Sequence, residues 1–383
     1  MSGGPEREIH ALILSGQYED AVARLQPMLA SGTGPIVLWS LLVKALRLLG
    51  RPREALPIQR MIADSNPGNL AARFDLSEIQ LLLGDFDAGW RNYRYRYSLD
   101  HTARIERKVQ MPRWEGGRIE GKTLLIHDEQ GYGDTFQFLR LVKLAKQRSG
   151  ARVVLQVNQE TLDLARRSDL GADETIGNGD LPPPFQMHCE LMSLPMALGL
   201  RLSDLPGLAP PYLVADPQRI ERWRQRLAAL PRPIVALAWA GRPTHYNDAS
   251  RSVSLASLAP LAMPGVSFVT VQKGPAAAAA APEGMALTRL SDEIAGFDDT
   301  AAILSVADVL ISVDSSPVHL AGALDRPAYV MLPFVPDWRW LEQRADTPWY
   351  PRTRLFRQPR RNDWAPVLRS LANALTDLPR QGA

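Results

Sequence analysis

Three glycines recur at a fixed interval near the start of the chain. Gly16, Gly50 and Gly84 are separated by 34 residues each time, and each follows a pair of large aliphatic residues. Glycine at the end of a helix allows a left-handed turn, after which a second helix can begin. A constant period of this length is typical of stacked helical hairpins. The spacing therefore predicts about two and a half to three helical repeats over residues 5 to 98.

A second landmark recurs in phase with these glycines. Five residues after each glycine stands a small residue, namely Ala21, Ala55 or Gly89. A small side chain there lets the second helix of a hairpin pack closely on the first. Helical periodicity agrees, since one face would carry the apolar residues Leu38, Leu41, Leu42, Ala45, Leu46 and Leu49.

The pattern changes after a charged connector at residues 99–120. Short β-branched runs now alternate with helical stretches, which predicts parallel sheets covered by helices. The predicted strands are Thr123–His127, Arg152–Val157, Ile234–Trp239, Val266–Val271, Val309–Val313 and Ala328–Leu332. A proline-rich stretch divides the region into Rossmann-like lobes at 121–215 and 231–358, and residues 359–383 form a closing helix and tail. The predicted fold is thus an all-α repeat domain at 1–98 followed by a two-lobed α/β domain.

The most informative site candidate is the segment 309–324, where a buried strand runs into Asp314. Ser316 is suited to be the N-cap of the next helix, with Pro317 as its first residue. A strand end followed by a helix N-terminus is a common phosphate site, to which Ser315 and His319 can add donors. The alternative is a well-capped structural helix.

A second candidate follows the first strand of the α/β region. Gly131 and Gly133 allow close approach of the backbone to a ligand, and Asp134 and Gln137 follow them. The third glycine of a dinucleotide fingerprint is missing, so the segment does not predict NAD binding. Asp134 has an equally good alternative role as a helix N-cap.

The third candidate is the loop after the strand at 234–239. Gly241 opens it, and His245, Asn247 and Arg251 concentrate polar groups there. The forked, permanently charged guanidinium of Arg251 suits a diphosphate. Lys273, after the following strand, could reach the same cleft. A plain surface loop and a solvated lysine are the alternatives.

Together these segments resemble a known family. The order of helical repeats, E-Q-G-x-G-D-T-x-Q-F, W-A-G-x-P-x-H-x-N-D-x-x-R-S and S-V-D-S-x-x-x-H-L-A-G-A-L resembles bacterial tetratricopeptide-repeat glycosyltransferases related to the heptosyltransferase-like family 9. The resemblance implies a GT-B fold, with the acceptor on the first lobe and the nucleotide sugar on the second. It implies Asp134 as general base and Arg251 as neutraliser of the leaving diphosphate. Asp314, Ser315, Ser316 and His319 would hold the donor.

On this basis the sequence predicts an inverting, metal-independent transferase. The repeats would present an acceptor, a protein or a glycan. The alternatives are a non-catalytic repeat scaffold with a degenerate transferase domain, and a nucleotide-sugar epimerase of the same fold. The one Asp-x-Asp tripeptide, Asp85-Phe86-Asp87, lies in the predicted repeats and not in the α/β region, and no cofactor is expected beyond the donor substrate.

Composition limits the partners and the cellular location that we expect for this chain. A net charge of +3, with acids interspersed among the arginines, gives no reason to expect nucleic-acid binding. Neither a signal peptide nor a stretch apolar enough to span a membrane is expected. The single cysteine, Cys189, excludes an intrachain disulfide and favours a reducing, cytoplasmic location. Trp90, Tyr93 and Tyr97 share a helical face, predicted to pack the last repeat against the α/β domain.

Overall fold

The computed structural model describes residues 4–99, 103–104, 106–244 and 247–379. The chain forms two compact units. One is helical and comprises Met1–Glu106, Gly199–Leu202 and Val335–Gln343. The other comprises Arg107–Leu198, Ser203–Phe334 and Arg344–Ala383 and contains both sheets.

The helical unit is built from six consecutive helices among the described residues. They are α1 (Pro5–Leu14), α2 (Tyr18–Met28), α3 (Ile36–Leu48), α4 (Pro52–Ser65), α5 (Leu70–Leu82) and α6 (Phe86–Tyr93). Gly16, Gly50 and Gly84 have φ values of 81°, 67° and 82°, so each helix before them ends in the left-handed turn that glycine permits. The predicted hairpins are therefore present, and their identification as tetratricopeptide repeats stays a prediction.

Packing explains the small residues at the second landmark. Ala21 and Ala55 are fully buried. A Cβ at Gly89 would lie 2.6 Å from Leu81 Cδ2, so α6 approaches α5 too closely for a larger residue. Of the predicted apolar face of α3, Leu38, Leu41, Leu42, Ala45 and Leu46 are buried and Leu49 is partly buried.

The aromatic face of α6 has its partner inside the helical unit. Trp90 and Tyr93 are buried and meet Trp338 edge-on, with ring centroids 5.2 Å and 5.8 Å apart. Trp338 lies in a short 3-10 helix, Trp338–Trp340, within the inserted segment Val335–Gln343. The predicted partner was the α/β domain. The segment does come from that part of the sequence, but it is packed into the helical unit.

The first sheet of the second unit has four parallel strands in the order β3-β2-β1-β4. They are β1 (Thr123–His127), β2 (Arg152–Val157), β3 (Glu174–Gly177) and β4 (Met187–Glu190). The helices of this region are α7 (Tyr132–Phe138), α8 (Val142–Ser149), α9 (Gln159–Arg167) and α10 (Leu194–Leu198). The helical stretch between β1 and β2 is not continuous, because a 3-10 turn at Leu139–Leu141 separates α7 from α8.

The second sheet has six parallel strands in the order β10-β9-β8-β5-β6-β7. They are β5 (Ile234–Ala238), β6 (Ser267–Thr270), β7 (Leu287–Thr288), β8 (Val309–Val313), β9 (Ala328–Leu332) and β10 (Thr353–Arg357). Its helices are α11 (Pro217–Arg226), α12 (Asp248–Arg251), α13 (Phe297–Val306), α14 (Ser316–Ala323) and α15 (Ala365–Thr376). The strands β5 and β8 are buried throughout, which is what two-sided helix cover requires.

Four short strands were not predicted, namely β3, β4, β7 and β10. Each has too few β-branched residues or too many polar ones to give a strand pattern, and β7 has only two residues. Pairing with a longer neighbour fixes them. No described helix combines the length and apolar character that crossing a bilayer would take.

Candidate functional site

Each predicted polar segment follows the carboxyl end of a parallel strand. The segment with Asp134 follows β1, the loop with Arg251 follows β5, Lys273 follows β6, and Asp314 follows β8. In the first sheet the chain continues from β1 to β2 on one side and returns to β4 on the other. In the second it does the same around β5 and β8. Ligands of open parallel sheets bind at such switch points, so the topology gathers these segments at the two expected edges.

On the first sheet, Asp134 stands in the first turn of α7. Its Oδ2 accepts a hydrogen bond of 3.0 Å from the backbone N–H of Gly131, which closes a capping-box contact. The N-cap of α7 is Gly131, so Asp134 is not the N-cap that the sequence left open, although its carboxylate accepts from the N-cap N–H.

On the second sheet, α14 begins one residue earlier than predicted. Ser315 is the N-cap, Ser316 the first helical residue and Pro317 the second. The predicted N-cap at Ser316 is wrong because Ser315 already has extended backbone angles, with φ of −157°. The Ser315 hydroxyl donates to Val313 O over 3.2 Å and does not cap the helix. Asp314 is 14% exposed at the strand end.

The two edges meet where α7 packs on α14. A Cβ at Gly133 would lie 2.8 Å from His319 Cδ2, so glycine is needed for the two helix starts to touch. His319 is buried and its Nδ1 lies 2.9 Å from the hydroxyl of Tyr350. Its Nε2 lies 3.9 Å from Asp314 Oδ1. Asp314 and His319 therefore meet the helix start that carries Asp134 at one junction.

The loop after β5 is organised around Gly241. Its N–H donates to Ser252 Oγ over 2.9 Å. A Cβ there would lie 2.5 Å from Arg251 Nη2, so the glycine makes room for the guanidinium. Arg251 is largely buried and bonds Asp248 Oδ1 over 3.3 Å. Asn247 is the N-cap position of α12, and its side chain accepts from Ser250. The predicted residue His245 lies outside the described residues.

Gln272 and Lys273, which follow β6, are both held by backbone groups of other segments. The buried Gln272 side chain accepts from the N–H groups of Trp239 and Ala240 over 3.0 and 2.9 Å. Lys273 Nζ donates to Ser291 O and Ile294 O over 2.7 and 2.9 Å. Lys273 is thus anchored by two carbonyls, neither of which neutralises its charge. Gln272 was not a predicted site residue, and a lone polar residue at a strand end gave no sign of this bridging role.

Gln137 is a correction. It was predicted to line the cleft, but it is fully buried on the inner side of α7. The second turn of α7 is enclosed on all sides, since Phe136 and Phe138 beside Gln137 are also fully buried, whereas Asp134 lies in the partly exposed first turn.

A buried arginine near this junction escaped the sequence analysis. Arg140 donates to Trp349 O and to the Tyr212 hydroxyl, each over 2.9 Å. Its guanidinium also lies over the rings of Tyr212 and Tyr350, 4.6 and 4.9 Å from the centroids. The Tyr350 hydroxyl in turn meets His319, so Arg140 supports the imidazole through one intermediate residue. Only the fold brings these distant positions together.

A second unpredicted cluster lies within the first sheet. His127, at the end of β1, has an Nδ1–H that donates to Asp128 O over 3.2 Å, and its Nε2 faces His188 Nδ1 at 3.2 Å. Glu190 accepts from Arg113 Nη2 over 2.6 Å and from Ser193 Oγ over 2.9 Å. Burial lowers the pKa of His127 to about 4 and also lowers the pKa of His188.

These residue types can bind metal ions, and the ligand atoms of His127, His188 and Glu190 lie within 4.8 Å of one another. Here, however, the carboxylate is occupied by Arg113 and Ser193. The set fits a buried hydrogen-bonded ion pair better than a metal centre, and no metal chemistry is derived from it. The expectation that no metal takes part stays a prediction.

Asp128 also follows β1, but its carboxylate binds neighbouring segments of the first lobe. Its Oδ2 accepts from Asn158 N over 2.7 Å and its Oδ1 from Asn178 Nδ2 over 2.9 Å. Burial raises the pKa of this carboxyl group. Since both oxygens are engaged within the first lobe, Asp128 positions the segment that carries Asp134.

The sequence of this chain is similar to that of a protein from Caulobacter vibrioides. No protein-family model matches the chain. Protein FlbA from Caulobacter vibrioides is 28% identical over 350 residues, which cover 83% of this chain and 57% of FlbA. The chain therefore spans little more than half the length of this relative.

Solved structures with a similar arrangement are glycosyltransferases. A family 9 glycosyl transferase from Veillonella parvula is 8% identical, with a TM-score of 0.46, over 68% of this chain and 97% of that one. Escherichia coli ADP-heptose LPS heptosyltransferase II is 16% identical, with a TM-score of 0.47, over 66% and 98%. The iron-containing glycosyltransferase TibC of Escherichia coli is 14% identical, with a TM-score of 0.42, over 68% and 76%. Likeness at this level implies neither a ligand nor an activity for this chain.

Proposed function

We propose that this chain is a GT-B glycosyltransferase that moves a sugar from a nucleotide-sugar donor to an acceptor hydroxyl. One observation carries the proposal. The segments after β1, β5, β6 and β8 all stand at carboxyl strand ends, and those after β1, β5 and β8 border the switch points of the two parallel sheets. The same segments hold the motifs by which the sequence resembles family 9 enzymes.

The donor diphosphate would bind at the second sheet. The first N–H groups of α14 and the helix dipole favour an anion, and Ser315 and Ser316 add hydroxyl donors. Arg251 would supply a forked, permanent positive charge for the departing diphosphate, with Lys273 adding a second charge nearby. Asp248 keeps Arg251 oriented until the ligand arrives.

The acceptor would bind at the first sheet. Asp134 would take the proton of the acceptor hydroxyl as that oxygen attacks the anomeric carbon and the bond to the diphosphate breaks. The Gly131 N–H bond holds this carboxylate in place. Attack from the face opposite the leaving group inverts the anomeric centre, and nothing in this step calls for a metal. The helical unit would bind an acceptor protein.

Donor binding is tested by thermal shift. UDP, GDP, ADP and CDP are added separately, and one of them is expected to raise the unfolding midpoint, because a ligand at one hundred times its Kd stabilises the folded state by about 2.7 kcal/mol. If none does so at millimolar concentration, the transferase proposal is wrong and a repeat scaffold becomes the better account.

Chemistry is tested with Asp134→Asn. The variant is expected to keep nucleotide binding but to lose transfer by about 10²–10⁴-fold, because the general base is gone. The exposed Asp163→Asn on α9 is the matched control and should keep full activity. Full transfer by Asp134→Asn would refute the base assignment. Conversion of the donor sugar without any acceptor would indicate an epimerase.

A further inference from the structure

A groove in the helical unit has four arginines among its ten lining residues. It has a volume of about 490 Å³ and lies between α4, α5 and α6. Its lining residues are Arg60, Asp64, Arg73, Leu76, Gln80, Ala88, Arg91, Asn92, Arg94 and Tyr95. Four of its five charged residues are arginines, although the chain as a whole has nearly equal numbers of basic and acidic residues. The positive charge is therefore concentrated here by the fold.

Three of these four arginines, Arg60, Arg73 and Arg91, keep most of their charge available to a partner. Among the described residues, neither Arg60 nor Arg73 forms an ion pair, and Arg73 Nε only reaches Pro67 O at 3.4 Å. Arg91 pairs with Asp87 one helical turn away, but both side chains are more than 60% exposed, where such a pair contributes little. An anionic partner would therefore meet arginines that the fold itself does not need.

The floor of the groove suits a polypeptide backbone. Asn92 Nδ2 donates to Gln80 Oε1 over 2.9 Å, so the two amides are held in a fixed pair. The remaining amide oxygen and N–H groups can accept from and donate to an extended chain. Tyr95 is the only aromatic lining residue, whereas single-stranded nucleic acids are bound by several aromatic side chains on which successive bases stack. The chemistry favours a protein segment.

We propose that this groove binds an extended segment of the acceptor protein that is rich in Asp and Glu. The inference rests on the proposed function, because it names the class of acceptor. Recognition away from the reacting groups raises the local concentration of the acceptor hydroxyls without touching the donor. Weakening the groove should therefore raise KM for a protein acceptor and leave nucleotide binding unchanged.

Binding is measured by fluorescence anisotropy on the full chain. The probe is a fluorescein-labelled peptide of alternating Asp and Gly, compared with a Lys-Gly peptide and with labelled oligouridylate. The Asp-Gly peptide is expected to bind and to weaken as salt is raised. Arg60→Glu combined with Arg73→Glu should lower its affinity by about tenfold or more, because two attractions become repulsions.

The control has the same change in net charge outside the groove. Arg7→Glu combined with Lys44→Glu alters two exposed residues of α1 and α3 and should change the affinity by less than about threefold. Equal losses in both double variants, or no binding of the Asp-Gly peptide to the wild type, would overturn the proposal. So would oligouridylate that binds more tightly and displaces the peptide.

Two further readouts keep the outcomes separate. Circular dichroism melting of each variant shows whether it folds, and the single variants Arg60→Gln and Arg73→Gln replace any double variant that does not. Nucleotide diphosphate binding is measured on the same samples. If the wild type binds the Asp-Gly peptide but no nucleotide diphosphate, the proposed transferase function is wrong and the proposed peptide site in the groove stands. Lost peptide binding with intact nucleotide binding contradicts the groove alone.

Discussion

The two parallel sheets place their polar groups differently. In the first sheet, His127, His188 and Glu190 lie within β1 and β4 and are buried against one another. In the second, β5 and β8 carry no charged residue or histidine, Ser312 is their one polar residue, and the charged groups start directly after β8, at Asp314. Polar groups buried within strands serve mainly stability, because their partners are fixed. Those placed beyond the strand ends stay available to a ligand.

The largest stability effect is expected inside the first sheet. Glu190→Gln removes the charge that Arg113 faces, while the Glu190 side chain is 1% exposed. Since Arg113 is 36% exposed and can reach water, we expect a loss of about 2 kcal/mol in the free energy of unfolding, below the cost for a fully buried pair. Urea unfolding followed by tryptophan fluorescence measures it.

The control for this variant is Glu293→Gln. It breaks a similar two-bond pair with Arg226, in which the side chains are 42% and 45% exposed. Exposed pairs contribute less than about 1 kcal/mol. Equal losses in the two variants would remove the distinction between the buried pair and a surface pair.

The next effect depends on pH. The pKa of His127 is about 4 in the folded protein, against an ordinary value of about 6.5, because burial disfavours its charged form. Between these values the unfolded chain binds more protons, so this contribution to stability is complete above about pH 6.5 and is lost as the pH falls through about 4. His127→Gln should therefore lose about 2 kcal/mol less than the wild type between pH 7 and pH 5.

This comparison uses urea midpoints at the two pH values. Because His188, whose pKa is also lowered, lies 3.2 Å from His127, a His188→Gln variant and the double variant complete the comparison as a double-mutant cycle. If the free energy of unfolding falls equally in the wild type and in His127→Gln between pH 7 and pH 5, protonation of His127 does not contribute to the loss of stability in acid.

The smallest stability effect is expected beyond the strand ends of the second sheet. Arg251→Gln breaks a single long bond of 3.3 Å to Asp248, whereas Glu190 accepts three bonds from Arg113, so the loss should be smaller than the loss of about 2 kcal/mol expected for Glu190→Gln. Binding of the nucleotide diphosphate found by thermal shift should weaken by about tenfold or more, because a charge-assisted fork to phosphate is lost. The exposed Arg360→Gln serves as control. A variant that loses stability but not affinity would reverse the proposed contrast between the sheets.

Much of the architecture could be predicted from the chain alone. The glycine period and the in-phase small residues predicted the helical hairpins because those positions answer to local rules, a left-handed turn and a close helix approach. The long strands β1, β2, β8 and β9 had the predicted bounds because continuous apolar runs encode two-sided burial. The motif positions around Asp134, Arg251 and Asp314 could likewise be read from residue types next to strand ends.

Tertiary structure alone decided the contacts between distant residues. The burial of Gln137, the support of His319 by Tyr350 and Arg140, and the histidine cluster between β1 and β4 all join positions far apart in sequence. The insertion of Trp338 into the helical unit and the collection of arginines in one groove have the same origin. Local patterns determined which elements form, because backbone geometry is local. Which polar groups found partners was decided only when the elements packed, because pairing and desolvation depend on neighbours that no local pattern specifies.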